Sequence, residues 1–340
     1  MDKKFLALGL SVFICLSGLI GCASVDTNKE DVTQQVEQSV GESLKLDFIQ
    51  TNRHDDSINK FSMIYDTKPK NSLAVTNAMI EMMLSLGLED RMAGTSYAEN
   101  NVLNSLKPAY EKVPVMSKTY PSKEQIVANG VDFIICWGGD FNEKGVGSID
   151  WLNENNIKAY IPRSVESNAT IDSIYEDFNN LGKIFNVEDK SQEINDKIKS
   201  KLNEVTSKIS NVDKKVKVMG YDSATKGAVV IGSGINNEII KLAQGKNVFD
   251  DIDKAYPEVT WEEVVNRNPD VMIVLEYSLE TGGQTFEQKV KELKENPALQ
   301  NVNAIKNNRF IKLELVELYP GERVPLTVEK LAKEFYPEKF

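Results

Sequence analysis

The sequence is poor in the residues that build metal centres and covalent cross-links. It holds one histidine and three cysteines in 340 residues. Those counts exclude a disulfide scaffold and argue against a Cys/His metal site. Basic side chains are outnumbered, 40 against 51 acidic ones, giving a formal net charge of −11. An excess of that sign argues against nucleic acid or an anionic lipid surface as the main partner. There is no Gly-rich phosphate loop and no Gly-x-Ser-x-Gly, so no motif announces catalysis. Beyond the N-terminal segment, no apolar run reaches the roughly 20 residues that a bilayer span needs. The lone His54 stands in the polar stretch Asn52-Arg-His-Asp-Asp and reads as a solvated surface residue. What is present, 41% hydrophobic and 27% charged residues, is the mixture of an ordinary folded protein. The length suits two domains of roughly 150 residues each.

The first residues read as an address label. Lys3 and Lys4 precede a dozen mostly apolar residues, Phe5 to Leu16. This run is too short to span a bilayer and has the form of a secretory signal. The following Leu19-Ile20-Gly21-Cys22 resembles the lipobox of bacterial lipoproteins. That resemblance implies that residues 1–21 are removed and that Cys22 becomes the lipid-modified N-terminus. Residues 22–45 are polar, without a sustained apolar period, and are expected to form a flexible tether. Cys15 leaves with the signal, and Cys136, inside Phe133-Ile-Ile-Cys, is expected to be a buried thiol.

The body alternates strand-like and helix-like stretches, the rhythm of a parallel sheet covered by helices. Ser72–Thr76 reads as a strand, Asn77 as a helix cap, Met79–Leu86 as a helix ended by Gly87, and Arg91–Ser96 as the next strand. The most informative feature is an internal repeat. Ser122-Lys-Glu-Gln-Ile-Val-Ala-Asn-Gly-Val-Asp-Phe-Ile-Ile aligns without a gap on Thr260-Trp-Glu-Glu-Val-Val-Asn-Arg-Asn-Pro-Asp-Val-Met-Ile. Each copy opens with a capping box, Ser122 with Gln125 and Thr260 with Glu263. Each then turns at Gly130 or Pro269, passes an aspartate (Asp132, Asp270) and enters an apolar strand. Two copies of one unit predict two similar α/β lobes. Between them, apolar residues recur with helical period at Ile171, Ile174, Tyr175, Phe178, Leu181 and Ile184, and a more polar helix is expected over Asp189–Ile209. The expected boundaries are a first lobe at 46–167, a bridging helix at 168–188 and a second lobe at 189–340.

Several segments carry a family resemblance in this order: Asn77-Ala-Met-Ile-Glu-Met-Met-Leu-Ser-Leu-Gly, Pro121-Ser-Lys-Glu-Gln-Ile, Leu242-Ala-Gln-Gly-Lys-Asn-Val-Phe, the second repeat copy, and Asn296-Pro-Ala-Leu-Gln-Asn-Val-Asn-Ala-Ile-Lys-Asn-Asn-Arg. Over about Leu73 to Pro337 the chain resembles the solute-binding lipoproteins of bacterial ABC importers, in the branch that handles iron-siderophores, haem and cobalamin. The resemblance implies an α/β fold of two Rossmann-like lobes with mostly parallel sheets, joined by one long rigid helix, with the ligand in the cleft between lobes. It implies binding rather than catalysis, and a monomer that hands its cargo to a permease dimer with its ATPase. An acidic residue on each lobe docks onto the permease in such proteins. Glu81 matches the first and Glu238 lies in the helix of the second, although Lys241 stands where an acid is frequent. Carriers of bare zinc or manganese resemble histidine clusters, so a single histidine points to a metal already wrapped in an organic chelator.

Ligands of open parallel sheets bind beyond the carboxyl ends of the strands. That rule selects Tyr97, Trp137 with Gly138, Tyr277, Tyr319 and Arg323, with Trp261 in the second repeat. Aromatic rings there suit a flat or chelated ligand, a glycine lets the backbone approach closely, and Arg323 is a candidate partner for an anionic ligand group. The expected function is capture of a ferric siderophore or related chelate outside the membrane, with no resident cofactor or metal. The alternatives are a corrinoid or haem carrier, a chelatase-like enzyme on a similar fold, or an adhesin.

Overall fold

A computed structural model describes residues 43–51, 57–277 and 283–340. The signal segment, most of the expected tether, Cys22 and His54 lie outside the described residues.

The described chain opens with an antiparallel hairpin, β1 (Leu44–Thr51) and β2 (Ile58–Tyr65). Its first strand starts two residues inside the stretch assigned to the tether. The cause is strict alternation: Phe48, Met63 and Tyr65 on one face are buried, while the other face is solvated. Two side chains bind the hairpin to the lobe that follows. The Tyr65 hydroxyl donates to Ala159 O at 2.6 Å and Gln50 Nε2 to Phe141 O at 2.8 Å.

The first lobe comprises β3 (Ser72–Val75), α1 (Asn77–Ser85), β4 (Met92–Ser96), α2 (Lys107–Tyr110), β5 (Val115–Ser117), α3 (Lys123–Ala128), β6 (Phe133–Ile135), α4 (Ile149–Glu154) and β7 (Lys158–Tyr160). Its strands are parallel in the order β5-β4-β3-β6-β7. The central strands β3 and β6 are buried along their whole length, which is why they read as unbroken apolar runs rather than alternating ones.

Two helices follow, α5 (Ile171–Phe185) and α6 (Glu188–Lys208). The second lobe comprises β8 (Lys217–Ala224), β9 (Ala228–Val230), α7 (Ile235–Leu242), β10 (Lys246–Asn247), β11 (Glu258–Val259), α8 (Trp261–Arg267), β12 (Val271–Glu276), α9 (Phe286–Glu295), α10 (Asn303–Lys306), β13 (Phe310–Glu314) and α11 (Arg323–Phe335). Its sheet runs β11-β9-β8-β12-β13, with β10 also on β8. Strands β8, β10, β12 and β13 are parallel, and β9 and β11 turn antiparallel at one edge.

The repeat in the sequence is a repeat in space. Helices α3 and α8 both start with the expected capping box. Strands β6 and β12 both occupy a position between two parallel neighbours. The paired aspartates do the same work. Asp132 accepts from the backbone amides of Lys70 and Asn71 just ahead of β3. Asp270 accepts from Lys217 N at the start of β8 and from Asn303 Nδ2. Each carboxylate thus fixes where the central neighbouring strand begins.

Helix α5 lies within the stretch 168–188 expected to bridge the lobes, and it ends at Asn186, which takes the left-handed conformation at φ 57°. Its apolar face, with Ile174, Phe178, Leu181 and Phe185 buried, sets Phe185 edge-on against Phe133 at 5.1 Å. Helix α6 presents Ile194, Ile198, Leu202 and Val205, and its outer face binds α11 and its cap through Lys201–Glu329 at 2.9 Å and Lys197–Glu322. One apolar core therefore runs from β3 and β6 through α5 and α6 to α11 and one face of the second sheet. A separate cluster around Tyr221, Phe249, Val264 and Leu299 closes the opposite face.

Asp177 pins α5 to the first lobe. It is fully buried and accepts from the Tyr160 hydroxyl at 2.8 Å and the amides of Arg163 and Ser164 at 2.8 and 2.9 Å. Burial raises its carboxyl to about 6 against the opposing effect of those bonds. A folded value above the unfolded one, about 3.9, favours folding below about pH 4, and that contribution is lost as pH rises through 6. Urea unfolding should therefore show a steeper loss of stability from pH 4 to 7 in the wild type than in Asp177→Asn. Asp177→Ala, which leaves two buried amides without an acceptor, should cost about 3 kcal/mol.

Candidate ligand-binding cleft

The carboxyl ends of both parallel sheets bring the candidate residues together. At the exit of β3, Thr76 adopts φ 72° and ψ 157°, a region occupied almost solely by glycine, at a cost of about 1–3 kcal/mol for a side chain such as threonine. Its amide donates to Ser96 O at 3.0 Å, and its hydroxyl accepts from Trp137 Nε1 at 2.8 Å. Asn77, expected to cap α1, does something else. Thr76 holds the cap position, and the Asn77 amide grips the loop after β4. Its Oδ1 accepts from Glu99 N at 2.6 Å and Asn100 N at 3.0 Å, and its Nδ2 donates to Asn100 O at 2.7 Å.

Tyr97, at the exit of β4, is also left-handed at φ 52°. Its ring lies parallel to Tyr120, with centroids 5.0 Å apart. Trp137, at the exit of β6, meets the ring of Tyr319 edge-on at 5.8 Å. From the second lobe, Tyr277 follows β12 and donates its hydroxyl to the Asp222 carboxylate. Tyr319, after β13, donates to Glu99 Oε2 of the first lobe at 2.6 Å. A cavity of about 190 Å³ lies between the lobes, walled by Tyr97, Glu99 and Asn100 on one side and Glu276, Tyr277, Leu315 and Val316 on the other. That is smaller than the roughly 300–1,000 Å³ of a typical small-molecule site.

The lobes are tied across this seam. Arg323 Nε and Nη2 reach Glu81 Oε2 and Oε1 at 2.8 and 2.6 Å, and Nη2 also donates to Asn101 O at 2.8 Å. Leu103 N donates to the same Glu81 carboxylate at 2.9 Å. Both side chains are about nine-tenths buried. Asn100 Nδ2 adds a bond to Glu314 at 3.1 Å.

The electrostatics keep the tyrosines protonated. Burial, joined by the Asp222 charge, pushes the Tyr277 hydroxyl far up, and burial with Glu99 does the same to Tyr319. Each is held as a hydrogen-bond donor, and each phenolate is disfavoured. Lys289 lies buried beneath Tyr277, its Nζ 4.9 Å from the ring centroid and bound to the carbonyls of Leu275 (2.6 Å) and Asp222. Burial lowers its affinity for the proton. Among the described residues no group of three or more His, Cys, Asp or Glu side chains is arranged to hold a metal.

Of the expected contact residues, Tyr97 and Tyr277 wall the cavity, and Trp137 and Tyr319 meet at its seam. The Arg323 guanidinium, expected to meet an anionic ligand group, is bound here to Glu81. Glu81, expected to dock on the permease, has its carboxylate buried in the same bond. Gly138 packs beside Ile161 and the hairpin residue Gln50, where an added Cβ would stand 3.4 and 3.6 Å from them. Trp261 packs against Tyr221 at 6.3 Å in the second lobe's own core. Glu238 lies half-buried in the first turn of α7. Thr76, Glu99 and Lys289 escaped the sequence reading. A strained φ leaves no mark on a threonine, and a glutamate in a polar loop looks like any other.

A family model for periplasmic binding proteins matches residues 73–315. The chain belongs to the periplasmic binding protein family. Among solved members, a periplasmic binding protein from Veillonella parvula is 29% identical and superposes with a TM-score of 0.77 over 86% of this chain and 99% of its own. An ABC-type Fe3+-hydroxamate transport protein from Saccharomonospora viridis shares the fold, at 18% identity and a TM-score of 0.66 over 85% of this chain and 98% of its own. The vitamin B12-binding protein of Vibrio vulnificus is 27% identical over 107 residues, so this family member matches 36% of that relative's length with 31% of its own.

The Glu81–Arg323 pair is open to a double-mutant cycle. Arg323→Leu alone strands a buried carboxylate and should destabilise by about 3–5 kcal/mol. Adding Glu81→Leu should restore most of the loss in a urea melt. Additive losses would mean that the two side chains are not coupled.

Proposed function

We propose that this protein is the solute-binding component of an ABC importer, held outside the membrane by lipid on Cys22. In this reading it captures a ferric siderophore or related metal chelate and delivers it to the permease. The observation that carries the reading is the cavity walled jointly by the strand exits of two repeated lobes, with Tyr97 and Tyr277 facing across it. Rings at strand exits supply large contact area at low conformational cost. The protonated Tyr277 and Tyr319 suit hydrogen bonds to an organic shell better than direct ligation of a bare ion. The Fe3+-hydroxamate transport protein of the same fold points the same way.

The closed cavity is small for a whole chelate, so loading requires the seam to open. In that step the Arg323–Glu81 and Tyr319–Glu99 bonds part, and a bound chelate replaces them as the contact between lobes. Opening also turns Glu81 outward. Glu238 on the second lobe keeps part of its surface in solvent and is the more accessible of the two docking candidates. Transport of this kind needs no chemical step from the protein.

A corrinoid cargo is the second reading, favoured by the match to a vitamin B12-binding protein. Tryptophan fluorescence titrated with ferric hydroxamates, ferric catecholates, haem and cobalamin separates the two. Saturable quenching by a ferric chelate is expected, with at least tenfold weaker binding by Trp137→Ala in calorimetry. Silence across the panel would overturn the assignment, and response to cobalamin alone would select the second reading.

A further inference from the structure

The step from β3 into α1 does more than turn the chain. Thr76 takes φ 72° and ψ 157° there, a region in which glycine sits without strain and a threonine does not. The position nevertheless keeps a side chain, and that side chain is used: its hydroxyl accepts from the Trp137 indole at 2.8 Å. The next residue, Asn77, grips a different loop. Its Oδ1 accepts from the amides of Glu99 and Asn100 at 2.6 and 3.0 Å, and its Nδ2 donates to Asn100 O at 2.7 Å. Thr76 is 2% exposed and Asn77 is fully buried, so neither touches a molecule in the cavity. What they hold does face the second lobe. Glu99 accepts from the Tyr319 hydroxyl at 2.6 Å, and Trp137 meets the same ring edge-on at 5.8 Å. Beside them Asn100 Nδ2 donates to Glu314 at 3.1 Å, and Asn101 O accepts from Arg323 Nη2 at 2.8 Å.

We infer that Thr76 and Asn77 are positioning residues that build the first lobe's socket for Tyr319. One fixes the indole that meets the ring, and the other fixes the loop whose carboxylate receives the hydroxyl. The inference concerns how the empty protein closes and stands apart from the identity of the cargo. Strand β3 lies between β4 and β6 in the sheet, so its exit is flanked by the loops that follow both. Two consecutive side chains there can reach both loops if they turn to opposite sides, and Thr76 serves the β6 side while Asn77 serves the β4 side. This gives the strained backbone of Thr76 a purpose: glycine would fit the conformation but could not hold the indole. Hydrogen bonds weaken steeply when donor and acceptor are misaligned. A socket fixed in advance also loses less freedom when the second lobe arrives. The bonds of Thr76 and Asn77 lie wholly within the first lobe, so the socket persists when Tyr319 leaves it in the loading step.

The test is amide hydrogen exchange on the empty, full-length protein, read in the segments 97–106 and 315–324. Thr76→Val keeps the branched shape and removes the acceptor for the indole. Asn77→Ala removes the grip on the loop. Each should speed exchange of 315–324, on the other lobe, by about threefold or more, while α8 exchanges as in the wild type. Asn77→Ala should speed 97–106 as well. Thr76→Ser, which restores the hydroxyl, should bring 315–324 back to within about twofold of wild type. A purely local structural role would loosen 97–106 and leave 315–324 unchanged, and that outcome would overturn the inference. Equal exchange of 315–324 in Thr76→Val and Thr76→Ser would overturn it too. Should Asn77→Ala fail to fold, the two Thr76 variants decide alone. No cargo is added, so the result is independent of what the cleft binds.

Discussion

The guanidinium of Arg323 and the carboxylate of Glu81 meet across the seam between the lobes, and the shape of the cleft depends on that meeting. Both groups are nearly out of solvent, and each is the other's compensation. Removing either one leaves a buried charge, so the pair is worth more as a constraint than as a source of net stability. The same bond commits the arginine beside the cavity to a carboxylate of the other lobe.

The rest of the fold works to bring that seam into register. Two repeated helix–turn–strand units place strands β6 and β12 in matching positions, each preceded by an aspartate that accepts from an amide at or just ahead of the neighbouring strand's start. The continuous core through α5, α6 and α11 joins the lobes, and at the cleft the Tyr319–Glu99 and Arg323–Glu81 bonds add to the edge-on contact of Trp137 with Tyr319. Thr76 stores strain there, and its hydroxyl takes the Trp137 indole N–H. The energy of an unfavourable backbone is set against the positioning of a ring at the mouth of the site.

Much of this was legible along the chain. Capping boxes, turn residues and apolar strands exposed the repeat, and the repeat implied the lobes. The strand-exit rule then found Tyr97 and Tyr277, because their location follows from local sequence. What could not be read were pairings made by the tertiary fold. Glu81 and Arg323 are 242 positions apart, and nothing near either residue hints at the other. Trp261 and Gly138 are a related case: residue type suits a binding loop, while the fold packs them against Tyr221 and Ile161. The hairpin at 44–65 did carry a signal, the strict two-residue alternation of its buried side chains, which the polar composition around it obscured.

A crystal structure of the protein loaded with a ferric trihydroxamate tests the central claim most directly. Chelate density is expected between Tyr97 and Tyr277, with the lobes moved apart and the Arg323–Glu81 bond lengthened or broken. Density elsewhere on the surface, or a loaded molecule with the Arg323–Glu81 and Tyr319–Glu99 bonds intact, would contradict it.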